Sequence, residues 1–244
     1  MDFALEAVDL FRGFEVPDIA TAGDMLAMVE DDYYPVECSD QAFFLNAGIV
    51  FDANEVQEHI EEHAVPHSAA LLARVRETQS PYFTGALARV NASWQNLGQN
   101  AKVAAAKAGL RPPEANPFMN NVAQAVEIMD ALDRCADLCR KLAEPGAIAS
   151  SSLPVPFEVK AGRAVGFTEA PRGALFHDLT LDAEGRVTHA SILTPTAQNV
   201  ANLEADMRLL AEKLVADGAA EDVVRLEIEK LVRAYDPCLS CSVH

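Results

Sequence analysis

Two thiols and an imidazole crowd the last nine residues, Asp236-Pro237-Cys238-Leu239-Ser240-Cys241-Ser242-Val243-His244. Cysteines three apart can be aimed by one tight turn at a single soft transition metal, for which thiolate is a preferred ligand. Chain ends ordinarily fray, so ligating side chains gathered there mark a metal site or part of one. A structural zinc half-site is the competing reading, but zinc needs four ligands and no second suitable pair stands in the sequence. Cys38 is alone, and Cys135 and Cys139, one helical turn apart, read as small apolar residues on a buried face. His59, His63 and His67, interspersed with Glu58, Glu61 and Glu62, imitate a metal cluster. Pro66 breaks their shared face, and a solvated helix explains them better.

Arg172 lies between Pro171 and Gly173. A rigid residue before it and a permissive one after it let a planar, permanently charged guanidinium be aimed at close quarters. Asp236, before Pro237, reads by itself as an ordinary helix-ending or turn residue.

Behind these side chains the elements read as an α+β fold, mainly helical, with long antiparallel helices and a small antiparallel β insertion. Residues 1 to about 55 are mixed, with Tyr33-Tyr34-Pro35 suggesting irregular structure and short strands. A helical period runs from about Ala53 to Arg76, and Gln79-Ser80-Pro81 reads as a turn. Leu87, Val90, Trp94 and Leu97 recur at helical steps between Thr84 and Ala108, which Gly109 closes. A second helix is expected from about Pro117 to Leu142, with Val122, Ala125, Val126, Met129, Leu132 and Ala136 on one face and Pro145-Gly146 at its end. The two should pack antiparallel. Between residues 147 and 195, prolines and glycines punctuate strands at Phe157 to Val159, Ala174 to Leu181 and Val187 to Leu193, the last two joined by Asp182-Ala183-Glu184-Gly185. Helices resume over about Ala197–Ala216 and Glu221–Ala234, so the segments are about 1–55, 56–146, 147–195 and 196–244.

The 244 residues, 50% of them hydrophobic, suffice for one sizeable core or two small ones. Lys and Arg number 19 against 37 Asp and Glu, a formal charge of −18 that argues against nucleic acid or an anionic membrane as partner. No apolar run reaches a membrane span, the N-terminus lacks a basic leader, and five cysteines do not describe a disulfide framework. The expected compartment is the cytoplasm.

The pattern Asp-Pro-Cys-x-x-Cys-x-x-His at 236–244 resembles the C-terminal signature of the large, catalytic subunit of NiFe hydrogenases. Glu169-Ala170-Pro171-Arg172-Gly173 is similar to that family's other C-terminal-half signature. Asn116-Pro117-Phe118-Met119-Asn120-Asn121-Val122-Ala123-Gln124-Ala125, Thr194-Pro195-Thr196-Ala197-Gln198-Asn199 and Arg233-Ala234-Tyr235 look like its cytoplasmic, NAD(P)-linked and sulfhydrogenase branch. The resemblance implies a Ni-Fe centre with CN and CO ligands on iron. Cys238 would be a terminal nickel ligand and proton acceptor, and Cys241 a nickel-iron bridge. Arg172, oriented by Asp236, would overhang the open coordination position, and Thr196, after Pro195, would hydrogen-bond a cyanide. His244 and the main-chain carbonyl of Ile192 would hold a magnesium or iron ion. It implies H2 as substrate, an iron-sulfur small subunit, and flavin/NAD(P)-binding and ferredoxin-like partners. The family's first Cys-x-x-Cys pair, within Arg-x-Cys-x-x-Cys, has no match here, so the chain is expected to be the C-terminal part of a large subunit, inactive alone. The alternative is a truncated or metal-free scaffold chain, which retention of Cys238 and Cys241 disfavours.

Overall fold

A computed structural model describes residues 2–37, 39–144 and 157–243. Two strands at its centre are buried on both faces. β1 (Asp24–Met28) alternates its side chains, Met25 and Ala27 toward a helical core and Leu26 and Met28 toward a second core under the sheets. β6 (Tyr82–Thr84) lies parallel to β1 and does the same with Phe83 and Tyr82. β2 (Gln41–Phe44) and β3 (Ile49–Asp52) complete a four-stranded sheet in the order β3-β2-β1-β6. Strands buried on both sides read as short continuous apolar runs without alternation, and β1 and β6 show no strand periodicity in the sequence.

The helical core is built by α1 (Asp2–Arg12), α3 (Ala86–Ser93), α4 (Gln99–Ala108) and α5 (Asn120–Leu142), closed by residues of α6 (Pro195–Ala216) and α7 (Glu221–Tyr235). The expected helix over 84–108 is two. A 3-10 turn at Trp94–Asn96 and the Leu97-Gly98 step divide it, and the Gly98 N–H donates to Asp130 at 2.6 Å. Gly109 ends α4 in the left-handed conformation, φ 82°, as the sequence suggests. Of these two helices α4 runs antiparallel to α5: Gly98 meets Asp130, whereas Ala108 shares a depression with Asn121 and Val122. α3 runs the same way as α5, with Leu87 on Asn120 and Arg89 on Glu127.

The segment 56–146 is less helical than expected. α2 (Val56–His59) is a single turn, followed by the hairpin of β4 (Ile60–His63) and β5 (Leu72–Val75). The three histidines do not share a helix, and each has its own carboxylate: His59 with Glu77, His63 with Glu61, His67 with Glu204. α1 stands in the stretch read as irregular structure with short strands, where β1, β2 and β3 are short strands. In the C-terminal half of α5, Leu132, Ala136, Cys135 and Cys139 are exposed and not on a buried face. Pro145-Gly146 lies outside the described residues.

The β insertion is a three-stranded antiparallel sheet of β7 (Gly162–Ala170), β8 (Gly173–Leu181) and β9 (Val187–Leu193). Its first strand is Gly162–Ala170, while Phe157–Val159 is not strand. Phe167 and Phe176 stack with ring centroids 4.3 Å apart and join Val165, Ala174 and Leu193 in the second core. No described helix is long and apolar enough to cross a membrane.

Candidate metal centre

Two chain segments converge on the cysteine tail. The first is the β7–β8 hairpin, where Ala170 pairs with Gly173 and leaves Pro171-Arg172 as the tip. Arg172 Nε donates to the carbonyl oxygen of Asp236 at 2.6 Å and Nη2 to its carboxylate Oδ1 at 3.2 Å. The guanidinium thus holds the residue two positions before Cys238. Asp236 ends α7 with φ 49°, ψ 53°, a left-handed conformation that Asp tolerates better than most side chains. It turns the chain back toward the hairpin.

The second segment is the start of α6. Thr194 caps it and Pro195 occupies its first turn, where the missing N–H costs nothing. Thr196 is buried, and its Oγ1 accepts from the Cys238 N–H at 3.1 Å. Cys238 therefore sits at the end of α6 whose dipole favours negative charge. Ile192 lies in β9, opposite His177 and two residues before that cap. His244 lies outside the described residues.

The tail itself is one turn, α8 (Leu239–Ser242), with the Cys241 N–H donating to the Cys238 carbonyl at 3.0 Å. Cys238 is half-buried and Cys241 exposed, and the sulfurs are joined as a disulfide at 2.06 Å. The sequence reading takes them as thiolates. The turn that would aim both at a metal brings the two sulfurs side by side.

Below the tip is a buried charge network that the sequence reading missed. Arg89 donates through Nε and Nη2 to both carboxylate oxygens of Glu127, each at 2.7 Å, and through Nη1 to Glu169 Oε2 at 2.9 Å. The same guanidinium reaches the carbonyls of Ala170 at 3.0 Å and Pro171 at 3.2 Å. Glu169 also accepts the Met28 N–H at 2.8 Å, and Tyr34 donates its hydroxyl to Glu127 at 2.6 Å. Burial raises the Glu169 carboxyl above its usual value against the opposing pull of Arg89. Burial alone would depress Arg89, but Glu127 and Glu169 outweigh it and hold it well above its ordinary value. The signal available was an arginine inside the apolar run Ala86-Leu87-Ala88-Arg89-Val90.

Amides lock the remaining elements. Asn199 pairs with the Thr84 backbone, accepting its N–H at 2.8 Å and donating to its carbonyl at 2.9 Å, and also donates to the Arg172 carbonyl at 3.3 Å. Asn120 accepts from the Leu87 N–H and donates to the Ala234 carbonyl at 2.7 Å, fixing the end of α7. Tyr235 donates to Asp206 at 2.5 Å and accepts from Asn202 at 2.7 Å. Burial pushes the Asp206 carboxyl up, against the bonds from Tyr235 and Ala22, and the Tyr235 hydroxyl well above its usual value. These side chains place the helix ends that carry Arg172's target and the cysteines.

Gly173 is a tight point of the frame. Its φ is +132°, and a Cβ there would lie 2.5 Å from Thr84 Cγ2 and 2.6 Å from Thr84 Oγ1, the oxygen that accepts the Ala174 N–H at 2.9 Å. Gly173→Ala is expected to cost about 1–3 kcal/mol of stability through that overlap and the unfavourable backbone region. Denaturant titration of variant against parent checks this, and an unchanged midpoint would show that the hairpin relaxes freely.

The described residues contain no group of three or more His, Cys, Asp or Glu able to hold a metal. The donor set is two sulfurs on one turn, with a fixed cation on the adjoining Asp236 and a buried hydroxyl on the Cys238 N–H. It fits half of a thiolate-bridged centre and falls short of a closed structural zinc site.

Residues 76–244 match the family model of nickel-dependent hydrogenases. Among curated proteins the chain is 38% identical over 204 residues to sulfhydrogenase 1 subunit alpha of Pyrococcus furiosus, covering 81% of this chain and 44% of that one. It is 35% identical over 127 residues to the NAD-reducing hydrogenase HoxS subunit beta of Cupriavidus necator, covering 51% of this chain and 25% of that one. Among solved structures, an NAD+-reducing NiFe hydrogenase in the H2-reduced state superposes with a TM-score of 0.74 at 21% identity, covering all of this chain and 57% of the other. A reduced, active Ni-Fe-Se hydrogenase from Desulfomicrobium baculatum gives 0.63 at 18%, covering 99% and 56%. The fold is that of these proteins. The chain spans less than half the length of these two curated relatives.

Proposed function

The chain belongs to the nickel-dependent hydrogenase family, and from that premise we propose that it supplies half the ligands and the overhanging cation of a Ni-Fe centre for reversible heterolytic H2 cleavage. The observation that carries the reading is the meeting of Cys238 and Cys241, on one turn, with Arg172 through Asp236 and with Thr196. In this reading the reduced pair would hold the metals as thiolates, Cys238 toward nickel and Cys241 shared with iron, with two further thiolates from polypeptide outside this sequence. The Ni-Fe centre, with CN and CO on iron, supplies the hydride-accepting chemistry.

The chain's own residues do the rest. Cys238 Sγ receives the proton released on cleavage, since a thiolate beside the reacting atoms is a base within reach. Arg172, anchored on Asp236, presents a permanent cation whose fork is already spent on a fixed partner, so little reorganises during turnover. Thr196 accepts from the Cys238 N–H and keeps its own hydroxyl proton to donate, which suits the cyanide contact. His244 with the Ile192 carbonyl would hold a magnesium or iron ion. An iron-sulfur small subunit would take the electrons, passing them to flavin/NAD(P)-binding and ferredoxin-like subunits. Similarity to an NAD-reducing hydrogenase subunit and to sulfhydrogenase alpha subunits supports that route.

Metal analysis tests the reading: reduced chain assembled with a polypeptide bearing Arg-x-Cys-x-x-Cys should hold nickel and iron, and the chain alone neither. Zinc in the assembly would favour the structural module. A second expectation concerns Arg172→Lys in that assembly. Lysine keeps the charge but cannot engage the Asp236 carbonyl and carboxylate together, so metal content should be retained while kcat for H2 oxidation falls about 10–100-fold. Unaltered turnover would remove Arg172 from the mechanism.

A further inference from the structure

Arg172 and Cys238 hang on the same short stretch of helix. Two residues in the first two turns of α6 engage the site: Thr196, whose Oγ1 accepts the Cys238 N–H at 3.1 Å, and Asn199, whose Nδ2 donates to the Arg172 carbonyl at 3.3 Å. Residues three apart on a helix are neighbours on its surface. One rigid element therefore meets the backbone of the cysteine and the backbone of the arginine side by side, a more precise support than a loop.

The rest of the Asn199 amide is engaged as well. Nδ2 donates to the Thr84 carbonyl at 2.9 Å, and Oδ1 accepts the Thr84 N–H at 2.8 Å. Thr84 in turn accepts the Ala174 N–H through Oγ1, and Gln198, beside Asn199, donates to the Ala174 carbonyl at 2.5 Å. Thr84, Gln198 and Asn199 are all buried. The return strand of the hairpin is thus held at residues 172 and 174 by α6 and β6.

The other hold on Arg172 is its ion pair with Asp236, whose side chains are 39 and 42% exposed. Water and salt screen such a pair, and the long arginine stem loses rotamer freedom to make it. Removing the buried amide instead leaves two carbonyls and an N–H without partners, so the backbone anchor outweighs the side-chain one. We propose that Asn199 is a positioning residue, which through α6 sets Arg172 relative to Cys238 and leaves the Asp236 pair to select the final rotamer. The placement stands on the geometry of this chain. Its consequence for turnover rests on the Ni-Fe reading.

Two substitutions test it. Asn199→Asp keeps the shape and the acceptor for the Thr84 N–H but turns an oxygen toward the two carbonyls, and Asn199→Ala removes the donors without adding a charge. On the full chain, trypsin cleavage after Arg172 should accelerate several-fold in both variants. Cleavage after Arg186, exposed in the turn between β8 and β9, should keep the parent's rate, which separates a loosened tip from general unfolding. In the assembled enzyme, Asn199→Ala should retain nickel and iron, shift the infrared stretching bands of the CN and CO ligands, and lower kcat about 10–100-fold, as small misplacements do. Added to Arg172→Lys, the same substitution should cost less than about twofold more, because residues that act through one another are not additive. Parent-like cleavage at Arg172, equal acceleration at both arginines, unshifted bands, or a loss that adds in full to that of Arg172→Lys overturns the proposal. An assembly of the parent chain without nickel or iron would sink the Ni-Fe reading instead, and the trypsin result would still decide whether Asn199 holds Arg172.

Discussion

Cys241→Ser, introduced into the assembled hydrogenase, is expected to abolish nickel retention together with H2 oxidation, and Cys238→Ser to do nearly as much. Serine preserves the volume and the turn, because the hydrogen bond that closes α8 runs from the backbone N–H of residue 241 to the carbonyl of residue 238 and involves neither sulfur. What changes is the donor: a hydroxyl is hard, weakly acidic and poorly matched to nickel or low-spin iron, whereas a thiolate is soft and already anionic near neutral pH beside a metal. Mutating groups that only orient ligands costs about 10–100-fold in metal affinity. Loss of the proposed bridging ligand should exceed that range. Elemental analysis of the purified variant, with circular dichroism to show that the fold survives, gives the answer. Full nickel and iron content in Cys241→Ser would remove the tail from the centre, and loss of zinc without loss of nickel would assign it to a structural site.

How much of this was legible in the sequence depended on how local the signal was. The cysteine turn, the Pro171-Arg172-Gly173 hairpin tip, the Thr194-Pro195 helix start and the Asp182–Gly185 turn are each written in a few adjacent residues. The frame that aims them is not. Arg89 finds Glu127 and Glu169 from 38 and 80 residues away, and no spacing rule joins those positions. β4 and β5 were misread as helix because Ile60, Leu72 and Val75 are buried through pairing and packing that the sequence does not display. β1 is expected only as an unplaced short strand, and β6 is not read at all, because burial on both faces erases the alternation that marks a strand. Periodicity in α5 locates an apolar stripe but cannot say whether anything covers it: Val122 and Met129 are buried, and Leu132, three residues after Met129, is 40% exposed. Amphipathicity reports a preference for a partner, and the partner's presence is a tertiary fact.

Arg89→Met should be the most destabilising single substitution beneath the site, about 3–5 kcal/mol, because it keeps most of the buried stem and removes the charge that two carboxylates share. Glu169 is fully buried and Glu127 largely so, and neither can turn to water without breaking the packing that Tyr34 and Met28 make with them. The carbonyls of Ala170 and Pro171 lose their donor as well, so the Arg172 tip should loosen along with the core. The pH dependence identifies the cause. Because burial holds the Glu169 carboxyl above its usual value even with Arg89 present, the native state keeps that proton to higher pH than the unfolded chain. Its contribution to stability therefore falls as pH rises from the ordinary carboxylate value through the raised one. Without Arg89 the raised value moves further up, so the variant's deficit should be smallest in acid and widen toward neutrality. Denaturant titrations from about pH 4 to pH 8, spanning the ordinary carboxylate range and above, measure the deficit directly, and adding Glu169→Gln should recover part of it at neutral pH. A deficit independent of pH, or no recovery from the amide, would mean that Arg89 acts through packing alone and that charge beneath the hairpin does not position Arg172.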